Sequence, residues 1–192
     1  FKNPRNLGEA EEVTAFIQNH DKFLLFGHVE PDGDCAASQL ALGSFLKRRG
    51  KQSEVFSEGP FDRPEIRPYE RRFRRSIAAA DLEDTPAAVI LDCSTPDRIG
   101  SMGLRIKGLP VLVIDHHASG EEFGDVRWVV PQAPSVTYLI QRVIEEFPDE
   151  PTPEEAEMLL FGLARDTGFF RHLPERSGFV FEAVARLVDG GV

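Results

Sequence analysis

The stretch "KFLLFGHVEPDGDCAASQLALGSFLKRRG", Lys22 to Gly50, decides the fold. It opens with a continuously apolar run suited to a strand buried on both faces, and then turns through Pro31, Asp32, Gly33 and Asp34. From Cys35 it reads as a helix closed by Gly50. Strand, loop, helix is the unit of a parallel sheet, and the chain repeats it. Strands follow in "SEVFS", "AAVILDC" and "VLVIDHH", with "RWVV" as a short fifth. Helices are expected at Ser135 to Phe147, at Pro153 to Arg165 with Thr152 as cap, and at about Glu175 to Val188. Ahead of the first strand, Leu7, Ala10, Val13, Phe16 and Ile17 fall at helical spacing, so a helix from Leu7 to His20 with Asn6 as cap is expected. The class is therefore α/β, a doubly wound and mainly parallel sheet of about five strands with helices on both faces.

Composition narrows the function. The chain has 192 residues, of which 41% are hydrophobic, the length and apolar content of one domain with a real core. No apolar run approaches the ~18 residues of a membrane span. The N-terminus "FKNPRNLGEA" lacks the layout of a signal peptide, so a cytoplasmic setting is the expectation. Cys35 and Cys93 are the only cysteines. They suit reduced thiols rather than a disulfide framework or a thiolate zinc site. A formal charge of −10 argues against general electrostatic tracking along long nucleic acids, while leaving short ones open. The chain starts at Phe1 without an initiator methionine and stops after a glycine pair in "ARLVDGGV", which reads as the first domain of a longer protein continuing beyond Val192.

In parallel α/β sheets, ligands sit outside the carboxyl ends of the strands. His28, Asp32 and Asp34 follow the first strand, Asp92 ends "AAVIL", and Asp115, His116 and His117 end "VLVI". Asp166, in "RDTGFF", stands where Gly168 permits a turn toward the same edge. Each group has an ordinary explanation alone: "PDGD" as a turn, a strand-end Asp as a cap, "DHH" as a hydrogen-bonded strand terminus. Their coincidence at one edge points to a site. Carboxylates gathered this closely raise one another's pKa unless cations compensate. Carboxylate and imidazole donors suit Mn²⁺ or Mg²⁺, and four or more acids suggest two ions sharing a bridging carboxylate. Such a pair serves phosphoester hydrolysis. Weaker candidates surround it. Arg98, after Asp92, is the favoured phosphate ligand, and His172 could stack on or hydrogen-bond a base. Ser135 and Thr137 read mainly as a helix start with a lesser case for phosphate contact. The six arginines from Arg63 to Arg75 read as a solvated face, and Trp128 reads as core.

"HVEPDGD", the Asp of "VILDCS", "DHH" in "VIDHHAS" and the Asp of "ARDTGFF" resemble, in that order, the four motifs of the DHH phosphoesterase superfamily. The likeness runs from the first strand to the terminal helix. It is strongest to the branch of oligoribonucleases (nanoRNases) and 3′-phosphoadenosine 5′-phosphate phosphatases. The resemblance implies that His28, Asp32 and bridging Asp92 hold one metal, and Asp34, Asp92, His116 and Asp166 the other. Asp115 would orient the histidines, and His117 would act on the scissile phosphate or its leaving group. The implied activity is hydrolysis of short oligoribonucleotides to mononucleotides, and of 3′-phosphoadenosine 5′-phosphate to AMP, by a hydroxide held between two metals, most readily Mn²⁺. A cyclic- or linear-dinucleotide phosphodiesterase and a non-catalytic metal- and nucleotide-binding module are the alternatives. Partners would be short RNA or nucleotides, with no membrane, and a homodimer is left open. The resemblance assigns residues 1–192 to the catalytic domain, without the smaller C-terminal substrate-binding domain that relatives carry.

Overall fold

A computed structural model describes residues 9–192 of the chain. The expected cap Asn6 and the first apolar position Leu7 lie outside them. The order is α1 (Glu9–Asn19), β1 (Lys22–Phe26), α2 (Gly33–Arg48), β2 (Gln52–Phe56), β3 (Ala87–Leu91), β4 (Val111–Asp115), β5 (Val126–Val129), α3 (Val136–Glu145), α4 (Pro153–Asp166) and α5 (Gly178–Asp189). The strands form one sheet in the order β2-β1-β3-β4-β5, and every neighbouring pair is parallel. β3 is buried at all five residues, as a central strand covered on both faces must be. The doubly wound parallel sheet of five strands is the class expected.

Alternation along the strands splits the core in two. Phe23, Leu25, Val89, Leu91, Leu112, Ile114 and Trp128 join a cluster to which all five α-helices contribute. Leu24, Phe26, Ala88, Ile90 and Val113 face the other way, against Ile77, Ile99, Met102 and Ile106. That second face is closed by 3-10 segments, chiefly Pro96–Leu104, in which Gly100 at φ 76° interrupts the helix. Part of the arginine-rich stretch is occupied in structure. Arg74 makes two bonds to Asp81, at 2.5 and 2.7 Å, and lies over Phe56, while Arg75 pairs with Glu70.

Several elements stop short of their apolar runs. β1 ends at Phe26, two residues before His28, and β3 at Leu91, before Asp92. α5 starts at Gly178 and not near Glu175, because Arg176 is left-handed and Ser177 turns its hydroxyl back to Pro174 O. α2 starts earlier than Cys35, at Gly33, because the Asp32 side chain caps it through Cys35 N at 3.0 Å.

α4 packs most extensively on α2 and then on α3. Its first turn is locked by a capping box between Thr152 and Glu155. The Glu155 carboxylate is fully buried and takes Arg48 Nε at 3.0 and 3.2 Å from the end of α2. Arg48→Met strands that carboxylate and should cost on the order of 3 kcal/mol. Lys47→Met, at an exposed pair 4.0 Å from Glu54, should cost less than about 1 kcal/mol. Urea unfolding followed by the buried Trp128 checks both, and equal small losses would contradict the helix-docking role of Arg48.

Candidate metal centre

The switch in strand order falls between β1 and β3, where chain connections depart to opposite sides and open a crevice. His28 leaves β1 there and Asp92 leaves β3. Asp115 to His117 follow on β4, next to β3. Asp32 and Asp34 occupy the cap and first turn of α2, and Asp166 is the last residue of α4. Asp92 has φ 61°, a left-handed conformation rare for a residue with a side chain and typical of strain held at a site.

Asp92 is the hub. Its Oδ2 lies 3.5 Å from His28 Nε2, and its Oδ1 lies 3.6 Å from His116 Nε2. His116 Nε2 is also 3.5 Å from Asp166 Oδ2, and His28 Nε2 is 3.9 Å from Asp32 Oδ1. None of these is a hydrogen-bond distance. Meanwhile His28 Nδ1 lies 2.8 Å from Val29 O, and His116 Nδ1 3.1 Å from Ala133 O. A carbonyl can only accept, so each Nδ1 carries a proton, and in the neutral ring that leaves the lone pair of Nε2 toward carboxylate oxygens. Lone pairs facing carboxylates repel, and Asp92 Oδ1 is buried without a hydrogen-bond partner. The ~3.5 Å gaps are those of two donors each about 2.0–2.2 Å from a shared cation. The donor set therefore fits divalent metal. Among the described residues, the groups able to converge on an ion include His28, Cys35 and Asp92, then Asp92, His116 and His117, and then Asp34, His116 and Asp166.

Asp34 is held by α3. Its Oδ2 accepts from Val136 N at 2.6 Å, and its Oδ1 from Thr137 N at 2.9 Å and Thr137 Oγ1 at 2.7 Å. The helix N-terminus thus steadies the carboxylate and aims it. Burial, followed by the charge of Asp166, nevertheless pushes Asp34 up to about 6. Burial and then Asp34 and Asp32 push Asp92 well above the carboxylate range, and burial raises Asp166.

Asp115 has a different task. Its Oδ1 accepts from the His117 ring at 2.7 Å, from His116 N at 2.7 Å and from His117 N at 3.2 Å. Burial presses its carboxyl upward, but the hydrogen bonds from His117 prevail and hold it below its ordinary value. The same bond raises His117. Asp115 orients His117 alone, since the ring of His116 is fixed by Ala133 O.

Arg98 is exposed and close enough to His117 and Cys93 for its charge to lower both their pKa values, and its own carbonyl accepts from Val29 N at 2.8 Å. His172 is exposed beside the turn after Asp166. Ser135 corrects the expectation of a substrate contact. It is fully buried, its Oγ accepts from Tyr138 N at 3.0 Å, and it lies 2.9 Å from Thr137 Oγ1, so the hydroxyl serves the cap of α3. Three residues have roles at the site that sequence reasoning did not assign. Thr137 orients Asp34. Gly162 lets α4 approach, since a Cβ there would lie 2.4 Å from Thr137 Cγ2 and 3.1 Å from Asp34 Oδ1. Cys35 borders the His28 side, and the absence of a second thiolate pair hid it.

The family model "DHH family, N-terminal domain" matches residues 22–163. The chain is 32% identical to the bifunctional oligoribonuclease and PAP phosphatase NrnA of Thermus thermophilus, over 86% of this chain and 49% of that one. It is 28% identical to the protein of the same name in Bacillus subtilis, over 83% and 50%. The chain thus spans about half the length of the curated relatives it matches. An exopolyphosphatase-related protein of Bacteroides fragilis superposes with a TM-score of 0.85 at 24% identity, over 96% of this chain and 57% of that one. A structure of exonuclease RecJ bound to manganese gives 0.59 at 18%, over 95% and 48%. Both likenesses concern the fold. No helix among the described residues is long and apolar enough to cross a membrane.

The raised carboxyls set a pH dependence. Their folded pKa values exceed the unfolded ones, so the folded state binds more protons, and metal-free stability should fall as pH rises from about 4 through about 6. Deprotonated ligands then bind cation best above that window. In chelator, the melting temperature should decline from pH 5 to pH 7.5. Mn²⁺ at a hundredfold excess over Kd should restore about 5 °C or more at pH 7.5, and Asp34→Asn should flatten the metal-free decline. A flat profile, or no shift with Mn²⁺ or Mg²⁺, would contradict the electrostatic description of the site.

Proposed function

The chain belongs to the DHH family, and on that premise we propose that it is a two-metal phosphoesterase acting on short oligoribonucleotides and on nucleoside 3′,5′-bisphosphates. The observation that carries this reading is Asp92: one buried carboxylate whose two oxygens face the Nε2 atoms of two different imidazoles, each of which has its Nδ1 turned to a backbone carbonyl. In the proposal His28, Asp32 and Asp92 hold one divalent cation, and Asp34, Asp92, His116 and Asp166 hold the other, Mn²⁺ before Mg²⁺. The cations, when bound, supply a water acidic enough to attack phosphorus at neutral pH and offset charge on the phosphate.

The remaining steps belong to the chain. Asp115 keeps the proton on His117 Nδ1 and raises the population of the imidazolium. That cation, set beside Asp92, stabilises charge developing on the phosphate and leaves Nε2–H to protonate the departing oxygen. Exposed Arg98 is the phosphate ligand of the proposal, and its guanidinium keeps His117 from becoming too weak an acid. Short substrates suit a chain of formal charge −10, and the relatives named as bifunctional oligoribonucleases and PAP phosphatases support oligoribonucleotides and PAP. The reading places the catalytic domain in residues 1–192. It assigns the far wall of the nucleotide cleft to a second domain of the kind that relatives of twice this length could hold.

Asp92→Asn should reduce Mn²⁺-dependent hydrolysis of bis-p-nitrophenyl phosphate by about 100-fold or more while leaving the circular dichroism spectrum unchanged. Near-normal turnover would remove the bridging role. Elemental analysis separates the neighbouring histidines. His116→Ala should lose metal, whereas His117→Ala should retain it yet turn over about 100-fold more slowly. Equal metal loss in both variants would overturn this division of labour.

A further inference from the structure

The turn after Asp166 holds three consecutive left-handed residues, Gly168 at φ 59°, Phe169 at φ 55° and Phe170 at φ 68°. For Gly168 the conformation is an ordinary helix ending. For two phenylalanines it is strained. The surroundings enforce it: Phe169 N donates to Ala164 O at 2.6 Å, Phe170 N to Thr167 Oγ1 at 3.1 Å and His172 N to Thr167 O at 3.0 Å. Phe170 uses the turn to pack on the main core and on Phe181, with ring centroids 5.5 Å apart. Phe169 does not. Its side of the strain is not offset by burial, since the residue is 64% exposed.

What the turn achieves for Phe169 is position. Arg165 Cζ lies 5.8 Å over its ring, and the stem of Arg165 packs against the metal-binding turn, where a Cβ on Gly33 would lie 2.9 Å from Arg165 Cγ. Gly33 separates Asp32 from Asp34. On the other side the His172 imidazole rests on Gly168, with Cδ2 2.4 Å from where a Cβ would be. An exposed aromatic ring and the arginine over it therefore stand beside the metal-binding turn, with the His172 imidazole against Gly168 of the same loop and the Arg165 guanidinium also paired with Glu65. Single-stranded nucleic acids are held by such surfaces, with bases stacked on rings and cations beside phosphates.

We infer that Phe169 is the stacking platform for a nucleobase next to the scissile phosphate, with Arg165 and His172 flanking it. The inference rests on the proposed reading of the site as one for short oligoribonucleotides, and it assigns the base contact to this chain. Any base should be accepted, because every base offers a π face.

The test measures binding, so that it does not depend on turnover. The probes are a phosphorothioate-linked diadenosine and the same backbone with both bases replaced by hydrogen, titrated in Mn²⁺ against the whole chain. Phe169→Gly removes the ring and relaxes the backbone, so it does not threaten folding, and Phe169→Trp restores an aromatic face. Phe169→Gly should weaken diadenosine about fivefold or more and leave the base-free probe unchanged, while Phe169→Trp binds diadenosine at least as well as the parent chain. Equal weakening of both probes, no weakening of either, or a parent chain that does not prefer diadenosine would overturn the platform. Binding as expected without hydrolysis of any phosphodiester would instead overturn the proposed reaction and leave the platform standing.

Discussion

Everything at the functional edge of this domain follows from one electrostatic conflict. Parallel strands β1, β3 and β4 release their last residues side by side, and those residues are acids and imidazoles. Asp92 sits in the middle, almost wholly buried, with Asp32, Asp34 and Asp115 all near enough to raise its pKa. Burial disfavours a carboxylate, and like neighbours disfavour it further. Protonation would relieve the conflict but would not satisfy two histidines whose protons are already committed to Val29 O and Ala133 O. Divalent cation relieves both, and the gaps around Asp92 have the size of a cation's first coordination sphere.

The rest of the molecule holds this conflict in place. α3 presents its N-terminus to Asp34, and the hydroxyls of Ser135 and Thr137 continue the hydrogen-bond chain to its carboxylate. α4 carries Asp166 to the site from outside the sheet layer, which requires its docking on α2 through Arg48 and Glu155 and its close approach at Gly162. Asp115 turns its Oδ1 to two backbone amides and the His117 ring, and so serves orientation. These contacts are distributed over distant parts of the chain, so the site is a property of the completed fold.

The sequence alone revealed the strand, loop and helix succession, the edge at which the acids gather and the roster of charged and imidazole ligands, because apolar strands and the rule of strand ends are strong constraints. The supports were less legible for a physical reason. Carbonyls of Val29 and Ala133 have no side-chain identity to read. Gly162 looks like any helical glycine until α3 is packed beneath it, and Ser135, though recognised as a helix start, could not be placed fully inside the core. The strand end in "AAVILDC" was overestimated because hydrophobic runs do not show where a backbone turns left-handed, as it does at Asp92. Nothing in the local sequence marks Phe169 as exposed, yet the turn leaves it in solvent.

The central claim is that two cations share the Asp92 carboxylate. Anomalous diffraction from crystals of the chain grown in Mn²⁺ tests it most directly. The account predicts two peaks roughly 3.5–4 Å apart, one beside His28 and Asp32 and the other beside Asp34, His116 and Asp166, with Asp92 bound to both. A single peak, or a pair that leaves Asp92 out of contact with either ion, would contradict it.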